Sequence, residues 1–336
     1  MTDTGGVSSI AGIATTVLVA PDSFKGSLSA VEVAAAIGRG LEQGGRPVDL
    51  CPIADGGEGT LDTLVPALGA ELCVATAHDP LGREVQARFA VSGSEAFVET
   101  AAASGLHLVA AGERDAFAAS SAGTGELILA AADQGARSIY LGVGGSATTD
   151  GGAGAIRAIE RGGGLGGSRL VVLCDVRTPF EDAARVFAPQ KGANPDDVRR
   201  LTARLNALAR RLARDPRGVP LTGAAGGLSG GLWAAFGAEL VPGASFVLDA
   251  IGFDVRMRAA HAVVTGEGRL DRQSLAGKAV SEVATRARQA GVPCHAIVGT
   301  SALDSFGMRI LDLETVSEAG TLEQLQAAGR RLAGRI

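Results

Sequence analysis

From Thr16 onward, short β-branched runs alternate with stretches in which apolar residues recur every three or four positions, the pattern of strand–helix–strand units on a parallel sheet. Val17 to Ala20 reads as a strand. Ser29 to Glu32 spells S-x-x-E, a capping box, and Ala30, Val33, Ile37 and Leu41 follow at helical spacing until Gly44 and Gly45 stop the helix. Val48 to Ile53 predicts the next strand and Thr60 to Leu68 a second helix. The alternation returns near the C-terminus: strand His261 to Thr265, helix Lys278 to Ala290, strand His295 to Val298, a last strand around Leu313 to Val316 and a closing helix. Five parallel strands with crossover helices suffice for a Rossmann-like domain.

The middle has a different texture. Leu72 to Thr76, Val85 to Val91 and Ala96 to Glu99 read as short strands with no helix between them, followed by helix Gly125 to Ala132 and strands Arg137 to Val143 and Leu170 to Cys174. The predicted class is α/β. Residues 1–70 and 256–336 form a discontinuous Rossmann-like parallel-sheet domain, residues 71–255 a large inserted α+β domain, and the active site is expected in the interdomain cleft. Asn194 and Pro195 open another helix with the apolar stripe Val198, Leu201, Leu205, Leu208 and Leu212. Its arginine-rich other face reads as solvated.

Composition narrows the function. Glycine, 49 of 336 residues, is about twice its usual share of roughly 7%, so many positions need a left-handed turn or a close approach. A net charge of -5 without a basic block, and 4% aromatics, speak against nucleic acid as a partner. Cys51, Cys73, Cys174 and Cys294 are scattered and make no CxxC pair, so reduced thiols and a cytoplasmic location are expected. No apolar window is long enough for a membrane span, and the first 15 residues lack the cationic start of a signal peptide. A monomer or homodimer is expected.

The chemistry gathers in loops after strands, where parallel sheets collect ligands. PDSFKGS (Pro21 to Ser27) offers Asp22 and Lys25, ADGGEGT (Ala54 to Thr60) offers Asp55 and Glu58, and TGEGRLD (Thr265 to Asp271) adds Glu267, Arg269 and Asp271. Lysine supplies a movable cation for phosphate or carboxylate, and the carboxylates a base or oxygens for Mg²⁺. Arg269 either holds a substrate carboxylate or pairs internally with Glu267 or Asp271. GVGGSATTDGGAG (Gly142 to Gly154) and AAGGLSGGL (Ala224 to Leu232) are candidate phosphate cradles, each with the alternative of a tight turn. Familiar signatures fail: Gly162, Gly164 and Gly167 fit GxGxxG but precede a strand, and Gly277–Lys278 lacks the rest of a Walker A loop. Anion cradles, a few cations and surplus carboxylates with no evident nucleophile are the inventory of phosphoryl transfer.

Nine motifs in order carry a resemblance: APDSFKGSLS, PIADGGEGT, DPLGR, ETAAASGL, GTGEL, GGSATTDGGAG, APQKGA, GAAGGLSGGL and TGEGRLDRQSLAGKA. From Val17 to about Gly299 the chain resembles the type-1 group of bacterial glycerate kinases. The resemblance implies ATP- and Mg²⁺-dependent phosphorylation of D-glycerate to 2-phosphoglycerate in glyoxylate or related catabolism. The alternatives are a kinase for another small 2-hydroxy acid and a non-catalytic sensor of glycerate or a nucleotide. On this reading Asp22, Lys25 and Asp55 are catalytic, and Ser23, Glu58, Arg269, Asp271 and Lys278 bind substrate. Gly144, Gly145, Ser146, Thr148, Thr149, Gly226, Gly227 and Gly230 bind the nucleotide, and Asp150 and Glu267 hold the metal. The segment Cys174 to Gly192 departs from the family pattern, with Thr178 where Asn is usual and Glu181 to Ala184 in place of glycines, which bears on substrate preference.

Overall fold

In the computed structural model, which describes residues 16–272, 274–276 and 278–336, the apolar run Val17–Pro21 is buried at every position. A parallel strand with helices over both faces must be. It is β1. The remaining strands, in chain order, are β2 (Val48–Leu50), β3 (Glu71–His78), β4 (Glu84–Ser92), β5 (Glu95–Glu99), β6 (Ser138–Gly142), β7 (Arg169–Leu173), β8 (Glu239–Val241), β9 (Ala262–Gly266), β10 (Arg269–Leu270), β11 (Cys294–Val298), β12 (Thr300–Ser301) and β13 (Thr315–Glu318).

The chain divides into two units. Among the described residues the first comprises 16–52, Phe253–Asp271 and Val283–Ile336; the second comprises Ile53–Gly252 and Arg272–Glu282.

The first unit holds a five-stranded sheet in the order β13-β11-β9-β1-β2, every pairing parallel. β2 is shorter than its apolar run suggests: the ladder ends at Leu50, although Cys51 still donates its N–H to Val19 O at 2.8 Å. Helix Ala30–Gln43 starts with the expected box, Ser29 Oγ accepting from Glu32 N and Glu32 Oε2 accepting from Ser29 N at 2.8 Å. Its apolar face and that of the closing helix Leu322–Ala333 form one core with β1: Val17, Val19, Val33, Ile37, Leu41, Leu325 and Leu332. Each such side chain contributes about 1.5–3 kcal/mol when fully buried.

The second unit holds a six-stranded sheet, β3-β4-β5-β6-β7-β8. Only the meander β3-β4-β5 is antiparallel; β5 through β8 pair in parallel. The α+β expectation for this region is thereby corrected. Helices Ala122–Asp133 and Ala153–Arg161 are crossovers between β5, β6 and β7. Glycine-rich loops separate the helix Ala153–Arg161 from β6 and β7, which hides the alternation there. Helix Pro195–Ala209 is capped by Asn194 and buries Leu201 and Leu205, but it stops before Leu212. Its arginine face is partly packed on the protein itself, with Arg200 and Arg204 over the Phe117 ring at 4.4 and 5.2 Å. All four cysteines are free thiols. No helix among the described residues is long and apolar enough to cross a membrane.

Candidate active site

In the first unit the carboxyl ends of β1 and β9 lie side by side, with Pro21 in register with Gly266. The loops that follow therefore leave the sheet together. Asp22 N donates to Gly266 O at 2.8 Å, and a methyl group built on Gly268 would stand 3.2 Å from Phe24 Cα. Asp22 is 5% exposed, and its Oδ1 accepts from Ser23 N at 2.6 Å, which fixes the carboxylate against its own turn. Phe24 is 2% exposed and anchors the next turn, its N–H donating to Leu28 O at 2.8 Å. Lys25 is thus displayed on the exposed tip of a turn held from below. Glu267 is buried. Of the two readings of Arg269, internal pairing is realised, Nε lying 3.3 Å from Asp271 Oδ2. At this exposure such a pair is worth about 1 kcal/mol or less, so another anion can compete for the guanidinium.

In the second unit three loops pack directly on one another at the carboxyl edge of β6. Gly57 N donates to Asp55 Oδ1 at 3.0 Å, orienting that carboxylate, while Glu58 is exposed. A methyl on Gly144 would stand 3.2 Å from Glu58 N, and one on Gly145 3.3 Å from Glu58 Oε2. A methyl on Gly226 would stand 2.7 Å from Thr149 Cα, one on Gly227 2.8 Å from the Phe180 ring, and one on Gly230 2.6 Å from Thr222 O. The glycines read as phosphate cradles are thus accounted for by loop-on-loop contact: without side chains, backbones approach each other as closely as they would a ligand. Thr148 and Thr149 are fully buried, and their hydroxyls have no hydrogen-bond partner among the described residues. Buried hydroxyls of this kind call for a bound molecule or water. Lys278 belongs to this unit and is half-buried.

Asp150 does not fit the metal role expected of it. It is 1% exposed; Oδ2 accepts from Ser121 N, Ser121 Oγ and Gly154 N at 2.9–3.0 Å, and Oδ1 from Gly152 N at 3.0 Å. Four donors match the roughly four lone-pair positions of a carboxylate. Asp150 fastens the loop to the helix Ala122–Asp133. Among the described residues no group of three or more His, Cys, Asp or Glu side chains is arranged to hold a metal ion. Glu267 follows directly on the carboxyl end of β9, on the same loop as Arg269.

Two charged residues here escaped the sequence reading. Lys191, in APQKGA, is 2% exposed; its Nζ donates to Ser146 Oγ at 3.0 Å and Thr148 O at 2.6 Å. Burial drives its pKa down to about 7, against the upward pull of Asp150. Glu99, the last residue of β5, accepts from Leu61 N at 2.7 Å and so caps the helix Thr60–Leu68, whose N-cap Gly59 has no side chain to do it. Their only signals were a lysine between Pro and Gly and an acid closing a strand, neither of which reveals burial.

Burial, reinforced by Asp62 and Glu58 against the bond from Leu61, raises the Glu99 pKa to about 7. An acid whose pKa is raised by folding stabilises fully below its unfolded pKa, and that contribution is lost as pH rises through the folded value. Glu99→Gln is therefore expected to be more stable than wild type by about 2 kcal/mol at pH 8, with the advantage gone at pH 4.5. Urea unfolding at the two pH values measures it; a pH-independent difference would show that Glu99 does not titrate in this range.

The glycerate kinase family profile matches residues 17–162 and 163–330. The chain belongs to the glycerate kinase family. It is 38% identical to the glycerate kinase of Halalkalibacterium halodurans, over 95% of this chain and 97% of that one. It is 36% identical to the glycerate 2-kinase of Escherichia coli K12, with the same coverage. A crystal structure of a candidate glycerate kinase 2 from Salmonella typhimurium LT2 superposes with a TM-score of 0.79 at 35% identity, covering 96% of this chain and 98% of that one.

Proposed function

We propose that this protein is a glycerate kinase that transfers the γ-phosphoryl group of ATP to the 2-hydroxyl of D-glycerate, with Mg²⁺, giving 2-phosphoglycerate and ADP. The observation that carries the reading is the family match across nearly the whole chain, combined with acidic and cationic loops at the carboxyl ends of parallel strands.

The step needs a proton acceptor, charge neutralisation and positioning. Asp22 or Asp55 accepts the hydroxyl proton, the freed oxygen attacks the γ-phosphorus, and the bond to the β-phosphate oxygen breaks. Both carboxylates are already oriented by backbone N–H groups. Lys25 neutralises the transferring phosphoryl group. Arg269 or Lys278 holds the substrate carboxylate, with Ser23, Glu58 and Asp271 completing its polar surround. The loop Gly144–Thr149 and the Gly226–Gly230 turn, besides packing on each other, are assigned to the ATP phosphates. Glu267 is the residue proposed to reach Mg²⁺, which supplies charge neutralisation at the phosphates when bound. Water is excluded during transfer.

The test is product analysis by ³¹P and ¹³C NMR with D-glycerate, ATP and Mg²⁺. A phosphomonoester on carbon 2 and one ADP per product are expected. ATP breakdown with glycerate unchanged, or no turnover, overturns the reading; a phosphoester on carbon 3 overturns the assigned hydroxyl alone.

A further inference from the structure

Lys191 closes the short turn Pro189–Lys191 and is withdrawn from water among Leu81, Leu106, Val109 and Ala147. An ammonium in such surroundings is costly unless acceptors and charges meet it, and an apolar side chain of similar length would pack there at lower cost. What the ammonium gains is two acceptors on a single loop, Ser146 Oγ and Thr148 O. The charged groups around it are Asp150 on that loop and Arg114 and Asp115 on the pocket wall.

From those acceptors a chain of contacts runs to a proposed base. Ser146 follows Gly145, which is packed against Glu58; Gly144 is packed against Gly57; and Gly57 N donates to Asp55 Oδ1. The links are backbone groups, adjacent residues and the Glu58 side chain in close contact, so displacement at one end shifts the other.

We propose that Lys191 is a positioning residue for phosphoryl transfer: by bridging Ser146 and Thr148 it holds the loop Gly144–Asp150 against the loop Ala54–Thr60 and so fixes the Asp55 and Glu58 carboxylates. The inference rests on the roles proposed above for those two residues.

Lys191→Met keeps length and removes the charge; Lys191→Arg restores it. The methionine variant is expected to lose about 100-fold in kcat with little change in KM for glycerate, the scale of a catalytic group displaced by about 1 Å, and the arginine variant to recover part of it. Hydrogen exchange supplies a readout that needs no turnover. In Lys191→Met, amides of residues 54–60 and 142–150 are expected to exchange at least about tenfold faster, while helix Ala30–Gln43 in the other unit keeps its protection. Wild-type kcat, or unchanged exchange at 54–60, overturns the proposal. If wild-type protein fails to phosphorylate glycerate, the proposed function fails, and exchange alone decides whether Lys191 holds the loop. Should the methionine variant not fold, Ser146→Ala, which removes one of the two acceptors, is expected to raise exchange at 54–60; no change there overturns the proposal equally.

Discussion

Lys25→Ala is expected to lower kcat for glycerate phosphorylation about 10³-fold while leaving KM for glycerate nearly unchanged. The split follows from where charge changes. A cation facing the γ-phosphoryl oxygens meets its strongest interaction as the bond to ADP breaks, so its loss is felt in the transition state more than in the bound substrate. The fold is not expected to suffer: Lys25 is exposed at the tip of its turn, and the anchor beneath it, Phe24, is untouched. Lys25→Arg should keep only part of the rate, because a planar fork replaces a compact ammonium. Steady-state kinetics with coupled ADP detection, alongside thermal unfolding, measure both halves. An alanine variant with wild-type kcat would remove Lys25 from the mechanism.

Gly226→Ala is the second large effect, and it concerns stability. Gly226 has φ +67°, a region costing an ordinary residue about 1–2 kcal/mol. Its methyl group would also run into the Thr148 carbonyl oxygen and stand 2.7 Å from Thr149 Cα, backbone atoms that cannot rotate aside. Overpacking of this kind adds about 1–3 kcal/mol, for a total of about 4 kcal/mol. Gly45→Ala is the control, since Gly45 has φ +84° but nothing within 4 Å of the new methyl, so only the conformational cost remains. Urea unfolding of both variants isolates the packing contribution. Equal losses would mean that the loops separate to admit the methyl, and that their contact is not tightly held.

The two outcomes bear on what could be read from sequence. The loops at strand ends were legible because Pro21 to Ser27 and Thr265 to Asp271 each follow an apolar run, and polar residues after a buried parallel strand have to lie at its carboxyl edge. The capping box at Ser29 and the helix over Thr60 to Leu68 were legible for similarly local reasons. Glycine runs were ambiguous in principle: a phosphate and a neighbouring backbone both demand the absence of a Cβ, and only coordinates show Thr149 beside Gly226 or Gly57 beside Gly144. A carboxylate beside glycine suits a metal and a loop fastener alike, so the four donors that meet Asp150 are visible only in coordinates. Its partner Ser121 lies 29 residues away and cannot be inferred from spacing. Lys191 was invisible for the opposite reason, because lysine is almost never fully buried and nothing adjacent marks this one as an exception.

Strand β1 of the first unit has a consequence for synthesis on the ribosome. Ala20 and its partner Thr265 are 245 residues apart. At roughly 5–20 residues per second, β1 emerges some 10–50 s before β9 exists to pair with it. Most of the second unit, Ile53–Gly252, is made in that interval, and its last segment, Arg272–Glu282, follows β9. The nascent chain therefore carries an apolar strand with one flank unpaired until β9 has been made, a state in which a holdase chaperone would find its natural client.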